Sequence, residues 1–107
     1  MKSKTLSLLG LAHRAGELVL GESIVLGTIA TTQIKLIFLA SDAGANIKKK
    51  IRNKCQSFQI PLIEDYTAHQ LTSSIGKSRL VIGVKNDGFK EAMLKAYKQE
   101  ERGDFDG

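Results

Sequence analysis

Apolar positions along this chain switch between two periods. Within Ser3–Ala15, Leu6, Leu9 and His13 recur every three or four residues, and Leu8, Leu11 and Ala12 widen the stripe, which predicts an amphipathic helix. Gly16 stands where a left-handed residue closes such a helix. Leu18-Val19-Leu20 is too short for a helix and predicts a buried strand. Gly21 then opens a second helix, with Ile24, Val25, Thr28 and Ile29 as its apolar stripe. Lys35–Ala40 is apolar on both faces, as expected of a central strand between helical layers.

Ser41–Gly44 predicts a turn, with Asn46 or Asp42 capping a third helix whose stripe is Ile47, Ile51, Cys55 and Phe58. Lys48, Lys49, Lys50, Arg52 and Lys54 fall largely off that stripe. Pro61 starts a strand, Leu62–Glu64, at a position proline tolerates. Thr67 caps a short helix, Ala68–Ile75, and Arg79–Val84 reads as a second buried strand. Asp87-Gly88 turns into a last helix, Phe89–Lys98, with Phe89, Met93, Ala96 and Tyr97 inward. Residues 1–99 form one domain, and the polar stretch Glu100–Gly107 is expected to fray. Strands alternating with helices predict an α/β fold, a three-layer α/β/α sandwich on a small mixed sheet of about four strands.

A chain of 107 residues holds one core. Aromatics are scarce and tryptophan is absent, so stacking of splayed bases is not expected to dominate any RNA contact. The single cysteine, Cys55, cannot form an internal disulfide, which fits a reducing compartment, and it is expected to pack as a small hydrophobe. Net charge is +5 and uneven. Residues 1–55 hold nine basic and three acidic side chains, a balance of +6, whereas residues 56–107 hold seven and eight, a balance of −1. A positive field concentrated in half the chain fits a polyanionic partner, with simple solubility as the equal alternative on charge alone. Lys2 and Lys4 before Leu6–Ala12 do not make a signal peptide, because Ser7 and Gly10 interrupt the run and His13-Arg14 follows it. The longest apolar run, Ile34–Ala40, contains Lys35 and is too short for a bilayer. A cytoplasmic protein without membrane contact is expected.

Catalytic patterns fail one by one. Gly76-Lys77-Ser78 matches the end of a phosphate-binding loop, but Leu71 occupies the first glycine position and a strand follows instead of a helix. There is no GxGxxG. His13 and His69 lack the cysteine pair or acidic neighbours of a metal site. Glu64-Asp65 ends a strand without a nucleophilic or basic partner evident. No catalytic residue, cofactor or metal is expected. The lysine-rich helix serves general electrostatic steering, with direct phosphate contact as the alternative. A composite site remains: Gly21 lets backbone approach closely at the start of a helix, and Ile75–Arg79 offers an apolar residue, a glycine, two cations and a hydroxyl. If strands Leu18–Leu20 and Arg79–Val84 share a sheet, the two fall on one edge.

Four blocks, LLGLAHRAGELVLGES (Leu8–Ser23), KLIFLASDAGANIKKKI (Lys35–Ile51), IPLI (Ile60–Ile63) and IGKSRLVIGVKNDGF (Ile75–Phe89), resemble the kink-turn RNA-binding ribosomal-protein family of archaeal and eukaryotic type, in its small bacterial YlxQ-like branch. The resemblance covers roughly residues 5–97. It implies non-catalytic binding of structured RNA, ribosomal or ribosome-associated, by a monomer, with ribosomal or assembly proteins as further partners. The implied RNA-binding residues are Gly21, Glu22, Ser23, Lys35, Ile75, Gly76, Lys77, Ser78 and Arg79, with Ile75 against a flipped-out nucleotide. The family's Asn, Glu and Lys after the glycine, which read sheared G·A pairs, correspond here to Ser23, Ile24 and Gly27. Glu17 and Leu20 also stand where basic or polar residues are common in that family. Two alternatives stay open: a ribosome-assembly factor that binds RNA without strict kink-turn selectivity, and a protein-interaction scaffold using the apolar surface near Leu20 and Ile24.

Overall fold

The computed structural model describes residues 3–31 and 34–102. In chain order the elements are α1 (Lys4–Arg14), β1 (Leu18–Leu20), α2 (Glu22–Thr28), β2 (Leu36–Leu39), α3 (Ala45–Phe58), β3 (Leu62–Ile63), α4 (Ala68–Ile75), β4 (Val81–Val84) and α5 (Asp87–Arg102). The strands form one mixed sheet in the order β1-β4-β2-β3. β3 lies parallel to β2, while β4 runs antiparallel to both β1 and β2. Helices α2 and α3 form one covering layer; α1, packed on α4 and α5, forms the other. The expected α/β/α sandwich is the fold found.

The central strands are dictated by their composition. All eight residues of β2 and β4 are buried, as a sheet covered on both faces requires. Leu9, Ala12, Val25, Ile51, Leu71 and Met93 close over them from the helices. Local signals set the ends of the elements. The Ser3 hydroxyl accepts the Leu6 N–H at 3.2 Å to start α1. Thr67 and Gln70 form a reciprocal capping box at α4. Gly10 lets α1 lie directly on α4, since a Cβ there would come within 2.8 Å of the Ser74 carbonyl oxygen.

Several expectations are corrected. Leu11 is 47% exposed, Ile24 58% and Phe58 43%, so none belongs to the buried stripe its period suggested. Leu11 and Ile24 lie at the margins of their helices' apolar arcs, and Phe58 is the last residue of α3. Neither Asn46 nor Asp42 caps α3, whose N-cap is Gly44 without a side-chain bond. β3 stops at Ile63, and the strand expected from Arg79 begins only at Val81, because Arg79 and Leu80 are exposed and lie in the preceding loop. α5 starts two residues earlier than expected, with the Asn86 side chain accepting the Phe89 N–H at 2.9 Å. It also continues through Glu100 to Arg102, so the expected frayed tail does not begin at Glu100. The Glu100 carboxylate accepts the Thr5 N–H at 3.1 Å and the hydroxyls of Ser3, Thr5 and Tyr66 at 2.9–3.1 Å, which ties the last turn to α1. The remainder of the expected tail lies outside the described residues.

Candidate nucleic-acid interface

Pairing of β1 with β4 builds the site. Leu18 lies opposite Val84 and Leu20 opposite Ile82, and the ladder extends one step further, where the Gly21 N–H donates to the Val81 carbonyl at 2.9 Å. The residues leading into Val81 are the loop from Gly76 to Leu80. Gly21 and that loop therefore share one end of the sheet, as they must if they act together.

Gly21 has φ +104° and ψ 148°, a region open in practice only to glycine, and its carbonyl accepts the Val25 N–H as α2 begins. Its Cβ position is empty of neighbours, so backbone conformation rather than crowding demands the glycine. Glu22 turns toward α3, with its carboxylate 3.9 Å from the Lys50 ammonium. Ser23 is exposed beside it. Across the edge, Gly76 (φ +77°) ends α4 in a left-handed turn, its N–H donating to the Thr72 carbonyl at 2.7 Å. Lys77, Ser78 and Arg79 then stand in solvent, and the Arg79 guanidinium donates to the Ser78 carbonyl at 2.8 Å. This geometry leads Gly76-Lys77-Ser78 into β4, not into a helix, so it does not form the phosphate loop its letters suggest.

Two of the residues expected at this edge are elsewhere. Ile75 is only 6% exposed and packs in the core; the apolar side chain that the loop presents is Leu80, 37% exposed. The signal for this is present in the sequence, since Ile75 continues the stripe of α4 from Leu71, four residues before it. Lys35 lies at the opposite end of the sheet, its N–H on the Val84 carbonyl at 2.7 Å and its ammonium 3.8 Å from Asp87. Val84 is about 10 Å along β4 from Val81, so Lys35 does not join Gly21, Ser23, Lys77 and Arg79.

The sequence also hides a support. Asp42, in the turn after β2, accepts the Ala68 N–H at 2.9 Å, and the Ser41 N–H donates to the Tyr66 carbonyl at 2.8 Å. The start of α4, and through it the loop at its far end, is thus tied to the central strand. Nothing local in the sequence links residues 26 positions apart. Elsewhere, burial pushes the Cys55 thiol up to about 11, with the charge of Glu64 adding to the shift. Among the described residues no group of three or more His, Cys, Asp or Glu converges, and no helix is long and apolar enough to cross a membrane.

The molecule is thus a mixed four-stranded α/β/α sandwich with a glycine-led helix and a basic loop at one sheet edge. Residues 3–94 match the ribosomal protein L7Ae/L30e/S12e/Gadd45 family, and the chain belongs to it. It is 38% identical over 88 residues to the RNA-binding protein YlxQ of Enterococcus faecium, covering 82% of this chain and 85% of that protein. Identity to RNA-binding protein YlxQ of Bacillus subtilis (strain 168) is also 38% over 88 residues, covering 81% and 88%. A solved protein of unknown function from Bacillus halodurans C superposes with a TM-score of 0.86 at 43% identity, over 91% of this chain and 99% of that one. The Giardia lamblia 15.5kD RNA binding protein shares the fold, with a TM-score of 0.74 at 16% identity over 91% of this chain and 84% of its own.

Proposed function

We propose that this protein is a non-catalytic, cytoplasmic binder of structured RNA, acting as a monomer on kink-turn motifs in ribosomal or ribosome-associated RNA. The observation that carries the reading is the Gly21–Val81 hydrogen bond, which sets the helix start and the Lys77–Arg79 loop side by side. Membership of the L7Ae-type family, and the RNA-binding names of its relatives, support the same reading. Gly21 gives close backbone approach and Ser23 one hydrogen bond; Lys77 and Arg79 meet phosphates, and Ser78 adds a hydroxyl. Leu80, in place of the buried Ile75, takes the apolar contact with an unstacked nucleotide. Glu22, held toward Lys50, keeps its charge off the phosphate path.

The test is binding to a kink-turn duplex beside a control with its tandem G·A pairs replaced, at one stated salt concentration. Preference for the intact motif, lost in Ser23→Ala/Arg79→Ala, is the expected result. Equal binding to both duplexes would favour the second reading, a ribosome-assembly factor without strict kink-turn selectivity. That reading draws on the exposed Ile24, which cannot hydrogen-bond where the family carries a glutamate. Binding to neither duplex would overturn the proposal.

A further inference from the structure

α3 carries five cations, Lys48, Lys49, Lys50, Arg52 and Lys54, and no carboxylate. Two of the five are met by acids from other elements. Arg52 donates twice to Glu64, at 2.6 and 2.9 Å, on the β3 side of the helix. Lys50 is met more loosely by Glu22, at 3.9 Å. Lys48 is half-buried on the Arg52 side.

The opposite flank has a different character. Helical spacing places Asn46, Lys49, Lys50, Asn53, Lys54 and Ser57 on one arc, away from buried Ile51 and Cys55, and all six are exposed. The arc alternates ammonium groups with neutral hydrogen-bonding side chains. An ordinary solvated helix face mixes both signs, and α5 does so, with Glu91, Lys95, Lys98 and Glu101 all exposed. Retaining one sign along an exposed face costs self-repulsion unless a polyanion relieves it. The Glu22–Lys50 pair fixes where this arc lies: it borders Gly21–Ser23 and leads away from that edge along α3.

We infer that the Asn46–Ser57 arc of α3 is a second phosphate-backbone surface, continuous with the Gly21–Ser23 edge, which holds the RNA arm leaving the primary site. The inference rests on the RNA-binding reading above. Lys49, Lys50 and Lys54 neutralise phosphates, and the asparagines and Ser57 donate to phosphate or 2′-hydroxyl oxygens. Lys50 faces the RNA while it stays beside Glu22, at 3.9 Å, and Lys54 gives up its position 5.9 Å over the Phe58 ring. Such phosphate neutralisation adds affinity without sequence preference.

The experiment compares the salt dependence of kink-turn binding by the full chain, by Lys49→Gln/Lys54→Gln, and by Lys95→Gln/Lys98→Gln as a charge-matched removal control on the other layer. For every phosphate that is no longer neutralised, the slope of log K against log salt falls by about 0.7–0.9. The α3 variant should drop by about two such steps and bind roughly tenfold or more weakly, with its preference over the G·A-replaced control unchanged. The α5 variant should keep the parent slope. Equal slopes for parent and α3 variant, with RNA still bound by both, would overturn the inference and leave the primary reading intact. Equal reductions in the α3 and α5 variants would reduce it to net charge and overturn it as well. Absence of RNA binding by the parent chain would sink both.

Discussion

Asp42 caps a helix that starts 26 residues after it: its carboxylate oxygen accepts the Ala68 N–H at 2.9 Å. The cap adds a negative charge to the positive end of α4, beside the Thr67–Gln70 box. It thereby links the turn after β2 to the helix that carries the basic loop. Asp42→Ala should lower stability by about 0.5–2 kcal/mol, the usual cost of removing a cap, as read from denaturant unfolding. The substitution should also raise amide exchange in α4 and the Gly76–Leu80 loop more than in α5. Uniform exchange increases would mean that Asp42 supports the whole fold rather than this helix.

Two glycines at either end of α2 should respond with opposite signs. Gly21 holds a backbone conformation that costs an L-residue about 1–3 kcal/mol. Gly27 lies exposed in the last turn of α2, with open space where a Cβ would stand. Gly21→Ala should therefore destabilise by that amount, while Gly27→Ala should stabilise by about 0.5–1 kcal/mol. Thermal unfolding of the two variants checks the pair directly, since neither substitution creates a clash.

Ile75 and Leu80 flank the basic loop but belong to different environments. Ile75→Ala removes a buried side chain from the core and should cost about 2–5 kcal/mol. Leu80→Ala, on a partly exposed residue, should change stability far less and weaken RNA binding instead. A Leu80→Ala variant with parent affinity would remove Leu80 from the interface.

How much of this is legible in the sequence depends on whether the signal is local. Thr67 reads as the cap of Ala68–Ile75, because a hydroxyl and a glutamine three positions on complete the box within one turn. The eight buried residues of β2 and β4 are legible from their continuous apolar runs. The shared edge of Gly21 and the loop follows from the sequence only conditionally, and the β1–β4 register supplies the condition. What the sequence conceals is set by distant partners. Asp42 reads as a cap for α3 because its bond to Ala68 has no sequence trace. Lys35 reads as a neighbour of the interface, but only the strand register tells which end of the sheet it occupies. Glu100 reads as tail because its donors come from Ser3, Thr5 and Tyr66.

Glu100 makes stability depend on acid. Burial opposes its charge, but the donors from Thr5, Ser3 and Tyr66 outweigh that cost and hold the carboxyl below its ordinary value. A carboxylate lowered by folding contributes stability that is fully present above its unfolded value, about 4.3, and lost as pH falls through the folded one. Glu100→Gln should cost about 1–3 kcal/mol at neutral pH. The gap between parent and variant should narrow as pH falls below about 4. A gap independent of pH would show that shape, not charge, matters at this position.

Ile24 and Gly27 carry the departure from the polar pattern of the resembled kink-turn binders, and both positions can be restored without disturbing the fold. Ile24 is largely exposed, so replacing it opens no cavity, and a side chain at Gly27 meets open space. A lysine at Gly27 also removes a glycine from the last turn of α2, worth up to about 0.5–1 kcal/mol in its favour. Ile24→Glu/Gly27→Lys adds one charge of each sign, leaving net charge at +5. Any gain in selectivity therefore cannot come from bulk electrostatics. Each charge-assisted hydrogen bond regained is worth about 1.5–3 kcal/mol, so preference for a kink-turn duplex over its G·A-replaced control should rise at least about tenfold. An equal change in affinity for both duplexes would mean that this helix does not read the G·A pairs, and that the chain meets RNA through phosphates alone.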